Sequence, residues 1–235
     1  MIFQAREGPT DLASAAQAEL MCRYSGAVHR YLLSSLRDFD AAGELNQEFA
    51  VRFLRGDFRR ADPARGRFRD FVKQALRNLM IDYYRRRKSL PKSLSSLEIP
   101  ETSEPGELDD AAAEFDRDFL ESWRAELLSR AWTALSKLQD ETGQPYYTVL
   151  KLRVDHPELR SPDIADRLSF QMGRAVTAGG VRQALQRARD RYVSFLVDEV
   201  KSSLDAPTRP ELLEELADLK LLEYCKPALK RLGLS

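Results

Sequence analysis

At 235 residues, 43% hydrophobic and 31% charged, the chain can bury a real core in one large or two small domains. Its 37 basic side chains balance 37 acidic ones, so net charge selects no class of partner. The two cysteines, Cys22 and Cys225, offer neither a disulfide framework nor a zinc site, and the two histidines, His29 and His156, lack partners at metal or nucleophile spacing. No glycine-rich phosphate loop follows a strand pattern. No catalytic residue, metal or cofactor is expected, and the chain does not read as an enzyme. No apolar run approaches the roughly 18 residues of a membrane span, so a cytoplasmic protein without membrane contact is expected.

A first helix is expected from Thr10-Asp11, carrying Leu20, Tyr24, Val28, Tyr31 and Leu32, with a break near Gly26. Asp40 is expected to cap a second helix through Arg55, with Leu45, Phe49, Phe53 and Leu54 inward. An arginine-rich loop, Asp57 to Gly66, leads into the stretch Arg65 to Lys88. There Phe68, Phe71, Val72, Ala75, Leu76, Leu79 and Met80 recur at helical spacing and form one apolar stripe. The other side carries Arg67, Lys73, Gln74, Arg77 and Asn78, cations and amides suited to phosphates and base edges.

Charge is distributed unevenly. Thirteen Lys or Arg face four Asp between Arg52 and Lys88, an excess that suits a polyanion, whereas Glu101 to Asp118 hold eight carboxylates and the single Arg117. The stretch Ser89 to Asp118, with Pro91, Pro100, Pro105 and Gly106, reads as a flexible acidic linker. Periodicity resumes with Trp123, Leu127, Ala131 and Leu135, and a short helix covers Tyr146 to Val154. Ser161-Pro162-Asp163 reads as the N-cap of a helix to Leu168, and a longer helix runs from Thr177 towards Val200. Two helices with a turn between them suggest a helix-turn-helix. In the tail, Thr208-Arg209-Pro210-Glu211 is a capping box before the stripe Leu212, Leu213, Leu216, Leu219 and Leu222.

These residues suit two kinds of DNA. Arg182, Gln186 and Arg189 share one face of the second helix-turn-helix helix, and Arg and Gln are the side chains that fork onto guanine and adenine edges. Thr177 at its start suits a phosphate. Phe58, Phe68, Tyr83 and Tyr84 lie among arginines, a pattern that stacks unpaired bases.

The runs GELNQEFAVRFL, DPARGRFRDFVKQALRNLMIDYYRRRK and VTAGGVRQALQRARDRY resemble the extracytoplasmic-function sigma factors of bacterial RNA polymerase, which keep sigma regions 2 and 4. The resemblance implies an all-α chain: a region 2 domain over residues 1–90, the linker over 91–120, a region 4 helix-turn-helix over 121–200 and a helical extension over 201–235. It implies an alternative sigma factor that binds core RNA polymerase and opens promoter DNA, duplex and single-stranded. Glu44, Gln47, Glu48 and Arg52 match the polymerase-gripping helix. Arg65, Arg67, Lys73, Arg77, Asn78, Asp82, Arg85 and Arg86 match the minus-10 contacts. Thr177, Arg182, Gln183, Gln186, Arg187 and Arg189 match the minus-35 helix.

Three features depart from the family. Ala41 and Gly43 stand where acids are usual, which prompts the expectation that phosphorylation supplies the missing charge, with Ser34 and Ser35 near; a Ser/Thr kinase or an anti-sigma factor is the expected regulatory partner. The turn between Leu168 and Val176 is longer than usual, and the tail has no counterpart; its leucine stripe is expected to pack on region 4 and regulate DNA access. Two other readings stay open: a stand-alone helix-turn-helix regulator of duplex DNA, and a helical adaptor.

Overall fold

The computed structural model describes residues 10–55, 67–88, 105–204 and 206–231. Among them the regular structure is helical throughout: α1 (Thr10–Leu36), α2 (Phe39–Arg55), α3 (Phe68–Lys88), α4 (Pro105–Thr142), α5 (Tyr146–Asp155), α6 (Ser161–Met172), α7 (Ala178–Ser202), α8 (Arg209–Asp218) and α9 (Leu222–Arg231). The chain divides into two compact units, Met1–Glu126 with Ser203–Ala206, and Leu127–Ser202 with Pro207–Ser235.

In the first unit α1 packs on α2, and α2 on α3. The apolar stripes meet in a core of Leu20, Tyr24, Val28, Tyr31, Leu32, Leu45, Phe49, Phe53, Val72, Leu76 and Leu79. Aromatic rings join these helices to α4. Tyr24 stacks on the fully buried Trp123 at 4.5 Å, and Tyr31 meets Phe115 and Phe119 edge-on at 4.9 and 5.5 Å. Phe68, half-buried, is part of this cluster, against Tyr24, Phe53, Phe71 and Trp123.

The second unit is built around α7, which packs against α5, α6, α8 and α9. Val181, Leu185, Ala188, Tyr192, Leu196 and Val200 are its buried face. The tail completes this core, with Leu212, Leu216, Leu219, Leu221, Cys225 and Leu229 all buried. Its capping box forms: the Glu211 carboxylate accepts from the Thr208 N–H at 2.7 Å.

Six expectations are corrected. Helix α1 runs unbroken through Gly26, because Tyr24, Ala27 and Val28 on either side of it are buried in the core. The residue capping α2 is Asp38, whose Oδ1 accepts from the Ala41 N–H at 3.1 Å, while Asp40 lies in the first turn. Leu54 faces solvent, not the core. The acidic stretch from Pro105 onward is not linker but helix, since Phe115, Phe119 and Trp123 at four-residue spacing bury one face. Arg160, not Ser161, holds the N-cap of α6, its N–H donating to Asp163 Oδ2 at 2.8 Å. Finally, α6 continues to Met172, which shortens the apparently long turn to Gly173–Thr177. Gly173 ends it at φ 61°, a left-handed conformation natural to glycine.

Candidate nucleic-acid interface

Helix α2 shows two faces to its surroundings. Glu44, Gln47, Val51 and Leu54 are exposed at i, i+3, i+7 and i+10, a polar and apolar strip on one side. Val51 and Leu54, 45% and 46% exposed, add to this surface beyond the polar residues expected there, and their helical spacing from each other and from Glu44 and Gln47 is the signal in the sequence that places them on it. Ala41 is buried, so an acid in that place would be desolvated, whereas Gly43 has open space around it.

The second face of α2 is tied to α3. Glu48 accepts from Arg52 and, at 3.0 Å, from Arg86, while Arg52 lies 3.7 Å from Asp82. The pairing of 48 with 86 and 52 with 82 makes the two helices antiparallel here. Four expected site residues, two from each functional set, thus form one cluster. All four are partly solvated, so each pair contributes no more than about 0.2–1 kcal/mol.

Along α3 the expected DNA residues differ in availability. Arg77 and Asn78 are exposed; Gln74 donates to Asn78 at 3.1 Å, and Arg77 forms no ion pair among the described residues. Lys73 is engaged by Asp116 of α4 at 3.0 Å. Arg67 is half-buried, its carbonyl accepting from the Asp70 and Phe71 N–H groups, and Arg85 is exposed. Tyr83 and Tyr84 are half-buried against each other, and burial raises the Tyr84 phenol. Arg87 donates to the Tyr83 hydroxyl at 2.7 Å. Arg65, Phe58 and the loop 57–66 lie outside the described residues.

In the second unit, α6 and α7 are joined by the turn Gly173–Thr177, held by Ser169, whose hydroxyl donates to the Ala165 carbonyl and accepts from the Val176 N–H. Thr177 Oγ1 accepts from the Gly180 N–H at 3.1 Å and so caps α7 with the hydroxyl expected to meet phosphate. Arg182, Gln183, Gln186, Arg187 and Arg189 are all exposed on α7, opposite its buried face. Gln186 donates to Asp190 at 3.1 Å; Arg182, Arg187 and Arg189 form no ion pair among the described residues. Cationic forks on a solvated helix face can address duplex phosphates and base edges.

Residues 20–90, which take in most of α1, all of α2 and all of α3, match the family Sigma-70 region 2. No curated protein and no solved structure matches the chain. The region 2 match supports a sigma-factor role, in which RNA polymerase is bound and a promoter recognised at transcription initiation. Among the described residues no helix is long and apolar enough to cross a membrane.

Proposed function

We propose that the chain is an alternative sigma factor of the extracytoplasmic-function type, with region 2 functions in residues 1–90 and region 4 functions in residues 121–200. The observation that carries this reading is the Sigma-70 region 2 match over residues 20–90, followed in the chain by a unit with an exposed arginine helix. In this reading Glu44, Gln47, Glu48 and Arg52, with Val51 and Leu54, contact polymerase. Arg77 and Asn78 meet the displaced minus-10 strand, joined by Lys73, Arg67, Asp82, Arg85, Arg86 and Arg65. The residues of α7 from Arg182 to Arg189, with Thr177, meet the minus-35 duplex. The tail is a wall of the region 4-like unit, a reading supported by its six buried apolar side chains named above. If a Ser/Thr kinase supplies charge near α2, Ser34 suits it better than Ser35: Ser34 is exposed, its hydroxyl donating to the Tyr31 carbonyl at 2.9 Å, whereas Ser35 is half-buried.

Run-off transcription with core polymerase and promoter DNA tests the reading. Transcripts that depend on the chain are expected. Duplex binding without polymerase dependence would instead favour a stand-alone regulator, and the absence of both would favour an adaptor.

A further inference from the structure

Helix α4 is acidic where it lies against α3, and its placement is set by aromatic packing. Trp123 and Phe119 are buried in the first unit, and Trp123 lies 6.2 Å from Phe68 at the start of α3. Two turns earlier on α4, Asp116 reaches Lys73, farther along α3. Following α4 backward from Trp123 to Asp116 therefore follows α3 forward from Phe68 to Lys73, so the two run antiparallel here. Carboxylates and cation on this part of α4 are divided in a specific way. Arg117 lies 3.7 Å from Glu114 and 3.9 Å from Asp118, its own neighbours, while Asp116 pairs across to α3. The nearby Tyr31 phenol is raised chiefly by burial and further by Asp118 and Asp116, consistent with carboxylates gathered at this edge.

We propose that the acidic turn of α4 around Asp116 covers part of the minus-10 face in the free chain, so that Asp116 and a DNA phosphate compete for Lys73. This rests on reading α3 as the single-strand face. The cover is held by Phe119 and Trp123 rather than by charge, so neutralising Asp116 removes the competition and leaves the helix docked. Both partners are partly solvated, with 28% and 48% of their side chains exposed, which makes the contact a tuning element and not a lock. It also makes the contact salt-sensitive, because screening weakens the ion pair and the phosphate contact alike.

The experiment is fluorescence anisotropy of the full chain with a labelled single-stranded oligonucleotide of mixed sequence, with circular dichroism to confirm helix content. Asp116→Asn and Asp116→Ala are expected to bind about two- to fivefold tighter than the unaltered chain at low salt, the range open to an exposed pair. That gain should shrink as salt is raised and vanish in a Lys73→Ala background. If neither Asp116 variant binds more tightly while Arg77→Ala binds more weakly, the cover is refuted and the DNA face stands. If Arg77→Ala and Lys73→Ala both bind as the unaltered chain does, the reading of α3 fails and the cover falls with it. Absence of detectable binding by the unaltered chain and by both Asp116 variants would equally overturn the proposal.

Discussion

Glu48 on α2 accepts a hydrogen bond from Arg86 on α3 at 3.0 Å, which joins a side chain read as polymerase-facing to one read as DNA-facing. The same carboxylate also holds Arg52, and Arg52 in turn lies near Asp82. A change at one functional set is therefore felt by the other.

Glu48→Gln should for this reason behave as more than a lost polymerase contact. Core-polymerase affinity is expected to fall. A double-mutant cycle with Arg86→Gln in chemical denaturation should give a coupling of no more than about 1 kcal/mol, as partly exposed pairs do.

Arg77→Ala and Asn78→Ala should impair promoter opening while sparing polymerase binding, since both side chains are exposed and away from the Glu48 cluster's ion pairs. Permanganate reactivity of unpaired thymines reports opening, and co-purification with core polymerase reports binding. Loss of co-purification would mean that the polymerase uses this face.

On α7, Arg182→Ala and Gln186→Ala are expected to weaken binding to a minus-35 duplex by roughly 5- to 150-fold where each makes a bidentate base contact, the equivalent of about 1–3 kcal/mol. A duplex with the wrong bases should show little further loss. Equal losses on both duplexes would reassign these side chains to phosphates.

Trp123→Ala removes the fully buried indole on which Tyr24 stacks, and should cost the first unit about 3–5 kcal/mol in chemical denaturation. Phe119, 5.8 Å from that indole, would lose its neighbour, so the same variant should also lose helix content by circular dichroism.

The second unit should be sensitive to alkali. Burial pushes the Cys225 thiol from its ordinary 9.0 up to about 11, and burial is the first cause of the raised Tyr192 and Tyr224 phenols as well. These groups keep their protons longer when folded than when unfolded. The Cys225 contribution is thus complete below pH 9.0 and is lost as pH rises through about 11, and the two phenols extend the loss further into alkali. Thermal melts should show a midpoint that declines across this window, and Cys225→Val should flatten part of the decline.

Much of this architecture was legible from spacing alone. The stripe of α3 and the capping box of α8 are local devices that need no knowledge of what lies opposite them. Residues whose state is decided by a distant partner were not legible. Gly26 reads as a break because glycine is a poor helix former, yet the burial of Tyr24, Ala27 and Val28 against other helices carries α1 through it. Pro105 to Asp118 looked unstructured because acidic residues outnumber the apolar ones, yet Phe115 and Phe119 meet Tyr31 and fold the stretch as helix. The candidate site divides in the same way. Exposed Arg77 and Arg182 stand where periodicity put them, whereas the engagement of Lys73 by Asp116 and of Arg86 by Glu48 required the packed helices.

The buried leucines of the tail bear on how the second unit comes apart. Leu212, Leu216, Leu219, Leu221 and Leu229 share one core with α7, so α7 and the last two helices should gain and lose amide-exchange protection together, as a single foldon. A chain cut after Ser202 would then carry its arginine helix on a half-open apolar face, and its fate in the cell would be set by chaperones and proteases before any promoter was met.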